Sequence, residues 1–164
     1  ALIGHWRINS GLSDNTDREV EKAMEKSGFK VKSSSWFDSN KEKYRGGPPE
    51  QELYDRFSYD PVLTISEQPD GYQFEYADNY RTTVYTDSRS HTVSLNSLEK
   101  SEDFLEGHWE GGKLLVEMHP RDGGYTYATY SITDGGKRLH AEYVIKPGSF
   151  NEEFKLERVY DRTR

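Results

Sequence analysis

The sequence predicts an all-β protein with a short helical insertion: a closed antiparallel up-and-down β-barrel of about ten strands, with a helix pair between the first and second strands. Three observations carry this. From Val62 onward, short segments alternate apolar and polar residues and are separated by the Gly, Asp, Asn and Pro that hairpin turns need. Between a first strand near the start of the chain and these segments, the apolar period changes from that of a strand to that of a helix. A meander this long leaves two open edges that attract other chains unless the sheet closes on itself.

Leu2 to Ile8 reads as the first strand, with Trp6 and Ile8 on one face and His5 and Arg7 on the other. Gly4 marks a close backbone approach or a strand end. Thr16 and Glu19 form a capping box, Val20, Ala23 and Met24 make a thin apolar stripe, and Gly28 follows as a C-terminal cap, so a helix is expected from Asp17 to Ser27. Residues 30–49 are polar and turn-rich apart from Trp36, Phe37 and Tyr44, and the aromatics favour a segment folded back as a lid. Pro49 opens a second short helix, Glu50 to Phe57.

The remaining strands are expected at Val62–Gln68, Tyr72–Ala77, Tyr80–Thr86, Arg89–Asn96, Phe104–Glu110, Lys113–His119, Tyr125–Thr133, Arg138–Lys146 and Phe154–Tyr160. One face of each is apolar or aromatic. Tyr72, Phe74 and Tyr76 alternate with Gln73 and Glu75, and Leu139, Ala141, Tyr143 and Ile145 alternate with His140, Glu142 and Val144.

Length and composition agree with one domain over residues 1–164, with 17–57 as the inserted helices and loop. The hydrophobic fraction is only 32%, yet twelve tyrosines, seven phenylalanines and three tryptophans are present, so the core must be largely aromatic. A net charge of -7 with no basic run argues against nucleic acid and anionic membranes as partners. No stretch is long and apolar enough to span a bilayer. Without cysteine there is no disulfide, thiolate nucleophile or cysteine metal site. A start at Ala1-Leu2 fits signal-peptide removal, so a periplasmic or secreted location is expected, with a soluble cytoplasmic one as the alternative. A monomer is expected.

The order of elements, with Gly4-His5-Trp6 in the first strand and Arg158-Val159-Tyr160 closing the last, resembles the fatty-acid-binding-protein-like (intracellular lipid-binding) barrels of the calycin superfamily. The pattern G-x-W near the start and R-x-Y near the end carries that likeness, and Leu63-Thr64-Ile65-Ser66 falls where the family begins its second strand. The resemblance implies that Arg158 and Tyr160 grip a ligand carboxylate inside the barrel. Lipocalin-like barrels share the G-x-W and a late arginine, which there packs over the tryptophan as a structural clasp. Nitrobindin-like haem barrels share the architecture.

Two readings of Arg158 therefore stand side by side. As a clamp, its guanidinium and the Tyr160 phenol, two residues apart on one strand face, donate to one anion. As a clasp, it stacks on Trp6 at the closed end of the barrel, with Gly4 in the same strand. The walls of a ligand cavity would be Tyr72, Phe74, Tyr76, Val116, Met118 and Tyr143. His91 alternates with Val93 and Leu95 on an apolar face, and is the histidine to test for a role in a cavity. Leu-x-Gly-His-Trp occurs twice, at Leu2 to Trp6 and Leu105 to Trp109, and the simpler reading is a Gly corner reused before a buried Trp. The alternative, a metal site between His5 and His108, lacks further ligands.

No nucleophile elbow, zinc-protease helix or phosphate loop occurs, and Glu75, Glu117, Glu142 and Glu157 all fall opposite the apolar faces. Catalysis is therefore not indicated, no cofactor is called for, and the expected partner is a small amphipathic, anionic molecule. The competing readings are a structural or interaction barrel filled by its own side chains, or an enzyme or haem protein using His91.

Overall fold

In the computed structural model, which describes residues 1–26, 28, 61–77, 81–87, 104–119, 124–148, 150 and 152–164, nine strands close into a barrel in sequence order. They are β1 (Gly4–Ile8), β2 (Val62–Gln68), β3 (Gly71–Tyr76), β4 (Arg81–Tyr85), β5 (Phe104–Glu110), β6 (Lys113–His119), β7 (Gly124–Thr133), β8 (Arg138–Pro147) and β9 (Phe154–Arg162). One α-helix, α1 (Thr16–Lys26), lies between β1 and β2. The expected second helix, the loop over 30–49 and the strand Arg89–Asn96 with His91 all lie outside the described residues. No described helix is long and apolar enough to cross a membrane.

Neighbouring strands pair antiparallel all the way round, β9 returning to β1, except that β4 and β5 meet in parallel through the single register pair Tyr85↔Glu106. Among the described residues one pair is thus parallel where the sequence expects antiparallel neighbours, as parity requires. Up-and-down alternation closes on itself only with an even number of strands, so a ring of nine must contain one parallel pair. It falls across the long connection of residues 86–103.

The apolar alternation read from the sequence sets the inner face. Trp6, Leu63, Phe74, Leu114, Leu139 and Ile145 are all at most 1% exposed and belong to one core cluster. Glu117, Glu142 and Glu157 point outward and are exposed, and Glu75 is half-buried in an ion pair with Arg81 at 2.8 Å.

The helix starts one residue earlier than the capping box implies. The Arg18 amide donates to Asn15 Oδ1 at 3.0 Å, and the Glu19 amide donates to the Asn15 carbonyl at 3.1 Å, so Asn15 and not Thr16 is the N-cap. Gly28, at φ +80°, follows the helix in the left-handed conformation that a C-terminal cap requires. Val20, Ala23 and Met24 enter the core cluster, so the thin stripe seals one region of the barrel rather than building a second core.

A short strap leads into that helix. β1 covers β9 only as far as Ile8↔Tyr160. Beyond it, the Asn9 amide donates to the Val159 carbonyl (2.8 Å), the Val159 amide to Ser13 Oγ (2.9 Å), and Asp14 and Glu157 exchange two bonds at 2.8 Å each. Backbone groups that β1 leaves open on β9 are thereby satisfied, which is the requirement on any covered edge. The strap also leaves Val159 4% exposed although it faces away from the barrel axis.

Gly107 shows how closely β4 and β5 approach. A Cβ there would lie 2.6 Å from Val84 Cγ1 and 3.4 Å from Leu114 Cδ1. Gly107→Ala is expected to destabilise the protein by about 1–3 kcal/mol through overpacking. Adding Val84→Ala should recover part of that loss in urea denaturation, whereas strictly additive losses would mean that the contact is not the cause.

Candidate functional site

The last strand carries three inward residues in succession, Arg158, Tyr160 and Arg162, because alternate side chains share a face. It runs two residues further than the sequence predicts, and that extension divides the two roles weighed for Arg158. The guanidinium over Trp6 belongs to Arg162: its Cζ lies 4.2 Å from the ring centroid, and Trp6 pairs in register with it across the β1–β9 seam. Its Nε donates to the Gly136 carbonyl (2.8 Å), Nη1 to Ile3 (3.0 Å) and Nη2 to Ala1 (2.9 Å). Trp6, fully buried, donates its own indole N–H to the Leu2 carbonyl at 2.9 Å. Gly4 sits at φ +152°, and a Cβ added to it would collide with Arg162 Nη1. One planar cation thus ties the chain start, the first strand, the last strand and the β7–β8 turn together.

Arg158 lies deeper. It is 2% exposed, opposite Ala141 on β8, and its surroundings are phenolic. Tyr160 is fully buried, Tyr130 and Tyr143 are 4% and 7% exposed, and the Tyr130 and Tyr143 hydroxyls are 3.5 Å apart. Tyr76 reaches the Tyr130 hydroxyl from β3, and Phe74 meets the Tyr130 ring edge-on at 5.1 Å. The Tyr160 hydroxyl faces Arg158 and Tyr143, and among the described residues it makes no full hydrogen bond. Thr126, 2% exposed, is the remaining buried polar side chain among the described residues.

The electrostatics follow from burial. Loss of water lowers the Arg158 guanidinium from its ordinary value, and the facing Tyr160 oxygen partly offsets this. Desolvation raises Tyr130, Tyr143 and Tyr160, while the Arg158 charge pulls Tyr160 back down. Among the described residues the interior therefore presents the Arg158 cation and several neutral O–H donors at neutral pH, a set suited to an anionic or oxygen-rich group. On the outer surface, Tyr125 donates to Glu153 and is pushed up to about 12, first by that hydrogen bond.

The sequence-derived wall residues come together in part. Phe74 and Val116 are buried, and Tyr72 and Tyr76 are half-buried against the same cluster as Tyr143. Met118 pairs with Leu105 and Thr126, and its side chain lies outside the described residues, as does His91. Tyr130, Thr126 and Arg162 were not singled out by sequence. For Tyr130 the reason is that Tyr125 and Tyr127 stand on the other face of the same strand, so aromatic content does not tell the faces apart. The second Leu-x-Gly-His-Trp departs from the first: Trp109 is 46% exposed, which corrects the expectation of a second buried Trp. His5 bonds Thr64 at 3.1 Å and His108 lies 3.6 Å from Glu110, on separate strands. No cluster of metal-ligating side chains occurs among the described residues.

A closed barrel of this strand order, with a helix after the first strand, is the fold seen in solved lipid-binding barrels. Similar solved structures include lipid binding protein 8 of Caenorhabditis elegans, with 12% identity over 98% of this chain and 94% of that one, at a TM-score of 0.53. A mutant of the fluorescent protein UnaG shares 20% identity over 98% and 95% of the two chains, at 0.51. The REP1-NXSQ fatty acid transporter shares 12% over 99% and 96%, at 0.50. At these identities the likeness is one of fold. No family model matches the sequence, and no curated protein matches it.

Two outcomes follow. Arg162→Ala is expected to lower stability by about 2 kcal/mol, since a stacked guanidinium and three carbonyl bonds are lost together; an unchanged urea midpoint would remove the seam role. With pH, the sign is set by tyrosines raised in the folded state. The unfolded chain ionises its tyrosines near pH 10 while the buried ones keep their protons, so stability should hold up to about pH 9 and fall above it. Tyrosinate absorbance of Tyr130, Tyr143 and Tyr160 should then appear only with unfolding, and early ionisation in the folded state would contradict their burial.

Proposed function

We propose that the barrel binds a small amphipathic, anionic, lipid-like molecule and serves as its carrier. The apolar body would lie against Tyr72, Phe74, Tyr76, Val116 and Tyr143, and the head group would meet Arg158 and Tyr160. The observation that carries this reading is a guanidinium 2% exposed on the inner face of a closed barrel, set among neutral phenols. In a low-dielectric interior such a cation attracts an anion far more strongly than it would at the surface. Arg162 takes the place over Trp6, so the seam does not need Arg158. Fold likeness to a lipid binding protein and a fatty acid transporter supports the same direction.

The reading is tested by titrating a fluorescent fatty acid into the purified protein and by native mass spectrometry of protein taken directly from its host. A displaceable probe and a bound lipid-sized mass are expected. A barrel that takes up neither is one filled by its own side chains. Arg158→Gln should weaken probe binding about tenfold or more, the loss expected for a charge-assisted contact. If that variant bound the probe as tightly as the parent, the anion clamp would be wrong.

A further inference from the structure

The β7–β8 turn and the end of β9 together edge a cleft of about 400 Å³, lined by Asp134, Lys137, Arg138, Asp161, Arg162 and Arg164. Strand pairing brings them to one place. Arg138 lies opposite Asp161 across β8 and β9, and the Arg162 amide donates to the Lys137 carbonyl at 2.8 Å. The cleft contains neither Arg158 nor Tyr160 and is independent of the carrier reading.

Its charges do not balance. Arg138 meets both carboxylates, with Nε 3.2 Å from Asp161 Oδ1 and Nη1 3.8 Å from Asp134 Oδ2, and Asp161 also accepts from Asn9 Nδ2 at 2.8 Å. Arg162 donates to three neutral carbonyls, which fix its guanidinium without neutralising it. Lys137 and Arg164 make no ion pair among the described residues. Four cations therefore face two carboxylates, an excess of +2 in a chain whose net charge is -7. A local excess of one sign concentrates the opposite ion, and here the surrounding protein is acidic, so the attraction is confined to this cleft.

We propose that this cleft binds a soluble phosphate monoester, whose charge of nearly -2 at pH 7 matches the excess. Arg162 supplies the fixed part of the site: three of its N–H donors hold carbonyls, and a guanidinium carries five, so two remain for phosphate oxygens. Lys137 and Arg164, both exposed, bring the two charges that the carboxylates leave uncompensated. A monoester is favoured over a sulfate ester or a single carboxylate because it alone puts close to two charges on one compact group. Since Arg162 also closes the β1–β9 seam, occupancy of the cleft stabilises the folded barrel, as does any ligand of the folded state.

The test is titration of the full chain with glycerol 3-phosphate at constant ionic strength, followed by amide NMR and by the thermal midpoint. The Lys137, Arg162 and Arg164 signals should shift along one binding curve, and the midpoint should rise. Methyl sulfate, a monoanion, should bind more weakly. Lys137→Glu should weaken glycerol 3-phosphate binding about tenfold, the loss expected for one charge-assisted contact. Lys155→Glu changes the net charge equally from an exposed position at the other end of β9, and should leave binding unchanged. Near-ultraviolet circular dichroism and the Trp6 indole signal confirm that both variants are folded. Equal binding of methyl sulfate, parental affinity in Lys137→Glu or an equal loss in Lys155→Glu would overturn the proposal. So would binding to phosphatidic acid vesicles without binding to glycerol 3-phosphate, which would make this a membrane contact.

Discussion

A barrel exists only if its last strand finds its first, and here that meeting is held by one guanidinium. Arg162 covers Trp6, reaches carbonyls of Ala1, Ile3 and Gly136, and fills the space that a side chain on Gly4 would need. Each of these bonds is modest alone, but they share one rigid planar group, so ordering it once satisfies several partners. The strap of residues 9–14 continues the same task past the end of β1, and α1 follows from it onto the core. Closure and capping are consecutive parts of one chain segment.

Because the seam is held by Arg162, the arginine two turns of the pleat earlier is released from a structural duty at Trp6. Arg158 instead lies among Tyr130, Tyr143 and Tyr160, where burial raises the phenols and lowers the guanidinium. Opposed shifts of this kind are what a low-dielectric interior imposes on any ionisable group, and they leave the site as a fixed array of donors around one positive charge. The proposed carrier role uses that array.

The interior tyrosines also show how a chain with only 32% hydrophobic residues builds a core. Each phenol supplies a large apolar ring and one polar atom, so burial brings a hydrogen-bonding obligation with it. The hydroxyls of Tyr130 and Tyr143, with Tyr76 beside them, meet part of that obligation inside the barrel.

Much of this architecture was legible in the residues because side-chain alternation is a local property. Turn chemistry placed most strand ends within a residue or two, Val20, Ala23 and Met24 marked the buried stripe of α1, and parity alone put Arg158 and Tyr160 on the inner face. The N-cap at Asn15 was displaced by one residue because neighbouring Asn, Thr and Asp compete for the same amide. What only the tertiary structure decided is which side chain meets which across the barrel. Arg158 and Arg162 share a face, and nothing local distinguishes the one beneath a tryptophan from the one among tyrosines; register across the β1–β9 seam does. Trp6 and Trp109 share a motif and an inward position, yet among the described residues it is Trp6 that has an arginine and the chain start above it. Alternation sets direction along a strand, while contact depends on strands far apart in sequence, and that information is not local.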